Sequence, residues 1–113
     1  MLRDFTRDAL LDLHGQVLVL EDGCWIKFEV RQVAVSNVRP HGIKYSLTLH
    51  DPNNERIVGY DNAHAVDKKR WTEGYDHRHF GDIVKPYSYH DAVSLLESFW
   101  ADVERMLAQR KRI

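Results

Sequence analysis

A single cysteine, Cys24, is the whole thiol content of the chain, so no intrachain disulfide forms and a reducing compartment is expected. Long apolar runs are missing too: the strongest, Val17 to Leu20, falls far short of the roughly 20 residues that cross a bilayer. Neither sign of charge dominates. Sixteen basic and seventeen acidic side chains leave a formal charge of −1, which removes the global argument for a nucleic-acid partner based on strong positive charge. Basic residues do gather locally, in Lys68-Lys69-Arg70 and Arg110-Lys111-Arg112, and each run reads as solvated surface until something pairs with it. Internal repeats and low-complexity tracts are lacking as well. These absences leave a chain expected to be cytoplasmic, with no membrane association. Its 113 residues suit one domain, 1–113, around a single hydrophobic core.

Along the chain, Met1 to Leu13 fits either a helix, through Phe5, Ala9, Leu10 and Leu13, or the start of a strand at Leu10-Leu11-Asp12-Leu13. From Val17 the pattern sharpens. Asp22-Gly23 stands between two apolar, β-branched runs, which is hairpin chemistry because a tight turn needs the positive φ that glycine supplies. A two-residue turn there pairs Leu20 with Trp25 and Val19 with Ile26. It puts Val17, Val19, Ile26, Phe28 and Val30 together on the core face. Ser36 to Gly42 reads as a loop, and Ile43, Tyr45, Leu47 and Leu49 then alternate with polar residues as a half-buried strand. Asp51-Pro52-Asn53-Asn54 is turn chemistry. A turn of those residues sets Leu47 opposite Val58, Tyr45 opposite Tyr60 and Lys44 opposite Asp61.

No sustained period runs from Asp61 to Asp82, a long interval for a loop in a compact domain. Ser88-Tyr89-His90-Asp91 fits a capping box, and the helix after it, Asp91 to Gln109, is about 28 Å long at ~1.5 Å per residue. Its predicted apolar stripe is Val93, Leu96, Trp100, Val103 and Leu107, flanked by Ala92, Phe99 and Met106, with Asp102 on the polar side. The resulting expectation is an α+β fold, an antiparallel β-meander of about four strands with the C-terminal helix packed on one face.

Chemistry concentrates between Tyr60 and His79. Asp61, His64, His77 and His79 can bind a metal or move a proton. As a metal site the pattern is weak: His-x-His puts both rings on one side of a strand, but nothing completes a zinc motif, and loop histidines bonded to nearby carboxylates are the plainer reading. No cofactor and no metal is implied. Metal-free acid–base chemistry on a phosphodiester needs only a base, an acid and a cation, which the histidines with Arg78 or Lys44 supply. Tyr60, Tyr75 and Tyr87 are candidates for stacking on bases, although an aromatic near a sheet is more often core.

Several runs taken in order resemble the TumE family of prokaryotic toxin–antitoxin systems. They are His41-Gly42-Ile43-Lys44-Tyr45-Ser46-Leu47-Thr48-Leu49-His50, Val58-Gly59-Tyr60-Asp61-Asn62-Ala63-His64-Ala65-Val66, Asp76-His77-Arg78-His79, Pro86-Tyr87, and Ala92 through Leu107 with Phe99-Trp100-Ala101-Asp102-Val103-Glu104-Arg105. The interval from Ala63 to Asp76 is longer than in compact family members. The resemblance implies a small toxin neutralised by an antitoxin with a helix-turn-helix domain, and by analogy with other small toxins an action on RNA. On that reading His64, His77, His79 and Asp61 form the catalytic set. Lys44, Tyr60, Asn62, Arg78 and Tyr87 are the substrate-binding candidates, with Asn62 holding the loop. A non-enzymatic domain bound by its antitoxin and a metal-dependent nuclease stay open as alternatives, as does a homodimer through a strand edge.

Overall fold

The computed structural model describes residues 5–20, 22–37, 39–62 and 76–111. Among the described residues an antiparallel sheet of six strands runs in sequence order: β1 (Val17–Val19), β2 (Trp25–Gln32), β3 (Ile43–His50), β4 (Arg56–Asp61), β5 (His77–Phe80) and β6 (Ile83–Pro86). The helices α1 (Phe5–Asp12) and α2 (Ala92–Lys111) flank it in sequence. The α+β meander with a C-terminal helix is therefore present, but with six strands where about four are expected from alternation. The added pair is the β5–β6 hairpin. Its strands are four residues each: β5 is His-Arg-His-Phe, and β6 sets Ile83 and Val84 side by side before Lys85 and Pro86, so neither carries an alternating apolar period. Phe80 pairs with Ile83 across Gly81-Asp82, and Gly81 takes φ +58°, the mirror-type turn for which glycine first is the usual residue.

The first hairpin differs from expectation by one residue. Leu20 N donates to Cys24 O at 2.8 Å, and Val17 lies opposite Lys27 rather than Phe28. The connection is one residue longer than a two-residue turn, with Gly23 at φ +85° closing it. Because side chains alternate, a slip of one residue turns the strand over. Val17 and Val19 consequently leave the core face and are 52% and 75% exposed, while Ile26, Phe28 and Val30 stay buried.

The β3–β4 turn deviates without that consequence. Asp51 holds it, its Oδ1 accepting from Asn53 N and Glu55 N at 2.8 and 2.9 Å, and the register shifts again between Leu49 and His50. The two changes together displace the pairing by an even step: Leu47 meets Tyr60, Leu49 meets Val58, and Ser46 rather than Lys44 stands opposite Asp61. Facing is preserved. Tyr45, Leu47, Leu49, Val58 and Tyr60 are all buried on the helix side.

α2 starts at Ala92, one residue after the predicted Asp91, and its cap lies three residues beyond the Ser88 of the capping-box reading. Asp91 is itself the cap, its Oδ1 accepting from Ser94 N at 2.8 Å. The buried stripe is Ala92, Leu95, Phe99, Asp102 and Val103, rotated from the predicted one, so Val93 and Trp100 are 39% and 36% exposed. Phe99 packs edge-on against Phe28 and Tyr60, each at 6.1 Å between centroids. At about 1.5–3 kcal/mol for each large side chain buried, Leu95, Phe99 and Val103 are principal anchors of the sheet. Over Phe5–Asp12 the open pattern resolves as helix, and Leu10 of α1 is fully buried in the same core.

Candidate functional site

β5 reads His77-Arg78-His79-Phe80, and alternation sends its residues to opposite sides of the sheet. His77 and His79 project to the face away from the helices. Across the ladder His77 stands opposite Asp61 and His79 opposite Gly59. The Asp61 carboxylate lies between the two rings: Oδ2 is 2.8 Å from His79 Nε2 and Oδ1 is 3.9 Å from His77 Nδ1. All three side chains are largely enclosed, at 16%, 12% and 6% exposure for Asp61, His79 and His77. Burial pushes His77 below the ordinary imidazole range; Asp61 pulls it back up and His79 adds to the lowering. His77 is accordingly neutral at physiological pH, the state of a proton acceptor.

A residue not singled out by the sequence completes the cluster. Arg56 NH2 is 3.3 Å from His79 Nδ1, and since a guanidinium only donates, Nδ1 is the acceptor and the ring proton is on Nε2, the nitrogen 2.8 Å from Asp61 Oδ2 but out of line for a hydrogen bond with it. Arg56 lies across the backbone of Gly59. A Cβ at that position would come within 3.1 Å of Arg56 Cδ, so the glycine gives the arginine its path to His79. Gly59 inside an otherwise regular strand is the one sequence sign of this close approach. Lys44 and Asp61 both line a concavity of about 580 Å³ that adjoins the cluster.

Other sequence-derived candidates are placed elsewhere. Arg78 turns to the helix side, where NH2 donates to Asp102 Oδ2 at 2.8 Å and the guanidinium packs over Tyr60 and Phe80, 5.4 and 5.1 Å from their centroids. Tyr60 is fully buried and its hydroxyl donates to the same Asp102 oxygen. Burial and that bond raise its pKa. Tyr87 meets Tyr60 edge-on at 5.0 Å. Asn62 is buried and holds β3: Oδ1 accepts from Tyr45 N at 2.9 Å and Nδ2 donates to Ile43 O at 2.8 Å. His64, Tyr75 and Lys68-Lys69-Arg70 lie outside the described residues. Among the described residues no group of three or more His, Cys, Asp and Glu side chains is arranged to hold a metal ion, and no helix is long and apolar enough to cross a membrane.

The family model for toxin TumE matches residues 5–107, from the first residue of α1 into the last turns of α2 and across all six strands. The chain belongs to the TumE toxin family. The match takes in Asp61, His77, His79 and Arg56, so the cluster is part of the family's own domain rather than an appendage to it. No curated protein and no solved structure matches the chain.

Proposed function

We propose that this TumE family member is the toxin of a toxin–antitoxin pair, acts on RNA in the cytoplasm by metal-free acid–base chemistry, and is held inactive by an antitoxin with a helix-turn-helix domain. The observation that carries the reading is the enclosed Asp61–His77–His79 cluster on the sheet face that the helices leave open. Burial keeps His77 neutral, as a base must be. In the proposed step His77 takes the proton of a ribose 2′-OH, the 2′-oxygen bonds to phosphorus, and the bond from phosphorus to the 5′-oxygen breaks. His79, protonated at Nδ1 once Arg56 turns from that nitrogen to the phosphate, delivers a proton to that leaving oxygen and is left neutral. The products are a 2′,3′-cyclic phosphate and a 5′-hydroxyl. Asp61 orients both rings, Arg56 and Lys44 offset the phosphorane charge, and His64 belongs to the catalytic set by sequence alone. Tyr60, Asn62, Arg78 and Tyr87 act in this scheme by holding β3, β4 and β5 in place.

Expression of the wild-type chain is expected to arrest growth, and His77→Ala/His79→Ala to abolish the arrest at equal levels of folded protein. General acid–base groups contribute about 10²–10⁴-fold, so cleavage by the purified double variant should fall by at least that much. Equal arrest by both proteins sinks the catalytic assignment. Cleavage that stops on chelation favours a metal-dependent nuclease instead. Arrest without RNA cleavage favours a toxin that works by binding.

A further inference from the structure

A second polar concavity of about 260 Å³ opens on the same sheet face, lined by Trp25, Lys27, Ser46, Thr48, His50 and Arg56 among others. It is smaller than typical sites for drug-sized ligands, about 300–1,000 Å³, and suits one ring system. Trp25 and His50 are cross-strand partners whose rings stack at 4.1 Å with an interplanar angle of 10°. His50 Nε2 is 2.9 Å from Thr48 Oγ1, which fixes the ring plane. Burial lowers the His50 pKa, and the nearby charges of Arg56 and Lys27 lower it further against a raising backbone contact from Asn54. The stack is thus flat and uncharged at neutral pH.

Charge in the concavity is unequal. Lys27 Nζ is held by Glu29 Oε1, which also lines the space, at 2.7 Å. Arg56 is exposed, lines the concavity, and reaches His79 with its guanidinium. One cation therefore joins an aromatic stack to the histidine cluster, along a line that crosses β2, β3, β4 and β5.

Resting on the reading of RNA as target, we propose that the Trp25–His50 concavity is a subsite for one unpaired base of single-stranded RNA, with Arg56 taking the adjoining phosphate and leading the strand to His77 and His79. Stacking on aromatic rings accepts any base but requires it to be out of a duplex. A cross-strand aromatic pair that only stabilises the sheet would not make that distinction.

The test is anisotropy of a fluorescein-labelled single-stranded oligoadenylate with the full chain carrying His77→Ala to prevent cleavage. Loss of one base–aromatic stack corresponds to a weakening of about 5- to 150-fold. Trp25→Ala is expected to fall in that range and Trp25→Phe to recover most of the affinity. Arg56→Gln should reduce the salt slope by about one phosphate contact, and the annealed duplex should not compete. Unchanged affinity in folded Trp25→Ala, equal competition by duplex, or no binding of the oligonucleotide overturns the subsite. The two readings fail separately. Trp25-dependent binding without cleavage by the wild-type chain keeps the subsite and removes the reaction, whereas cleavage with the same KM in Trp25→Ala keeps the reaction and removes the subsite.

Discussion

Asp61 and Asp102 are carboxylates that serve the same pair of strands from opposite sides of the sheet, and their surroundings differ in kind. Asp102, on α2, accepts from Tyr60, Arg78 and Arg105, the last at 3.2 Å to its other oxygen. Two of these donors are permanently charged, and Tyr60 is held protonated by burial and by Asp102 itself. Asp61 instead faces two imidazoles, side chains that can accept or give up a proton. The helix side thus presents a fixed network that ties α2 to β4 and β5, and the open side presents one whose charge can move. Within the single strand β5, Arg78 belongs to the first and His77 and His79 to the second.

The largest difference between the two carboxylates should appear in stability. Asp102→Ala strands the buried Tyr60 hydroxyl and uncouples a half-buried Arg78, at an expected cost of about 3 kcal/mol by urea unfolding, with α2 the element loosened in hydrogen exchange. Asp61→Asn keeps the side-chain volume and its polar character and should cost about 1 kcal/mol, while growth arrest drops by roughly tenfold or more as His77 and His79 lose their orienting charge. If Asp61→Asn unfolds the protein as readily as Asp102→Ala, the contrast between a structural and a working carboxylate fails.

The smallest effect is on pH. His77 and His50 both have folded pKa values below the ordinary imidazole value of about 6.5, so the unfolded chain binds their protons more readily. Their contribution to stability is complete above that value and is lost as pH falls from it through the lowered folded values. Asp76, raised by burial, acts in the opposite sense at lower pH, where its protonated form favours the fold. The unfolding midpoint of the wild-type chain should therefore decline between pH 7.5 and 5.5 more steeply than that of His77→Gln. Parallel profiles for the two would show that His77 is not depressed.

How much of this was legible depends on whether a feature needs a partner to be defined. The alternation of Ile43, Tyr45, Leu47 and Leu49 reports its own facing, and those residues are buried as the pattern requires. The Val58 and Tyr60 facing survives a change of partner because the displacement was even. Val17 and Val19 are the opposite case: one extra residue in the turn, invisible to their own pattern, reversed them. On α2 the apolar residues are spread widely enough to admit several stripes, and the inward pull of Asp102 toward Tyr60 and Arg78 selects one that leaves Trp100 at the surface. The β5–β6 hairpin across Gly81-Asp82 was not legible, because β5 is His-Arg-His-Phe and β6 sets Ile83 beside Val84 ahead of Lys85 and Pro86, so neither strand alternates apolar with polar residues.

Periodicity and local residue chemistry, which act within a few neighbours along the chain, were enough to give the class of fold, the last helix, the family resemblance, and the interest of Asp61, His77 and His79. Arg78 leaves the histidines for Asp102, Arg56 crosses Gly59 to reach His79, and Trp25 stacks on His50 through choices made in three dimensions. Those choices follow from strand register and from which face each residue is given, and register is a property of two strands together.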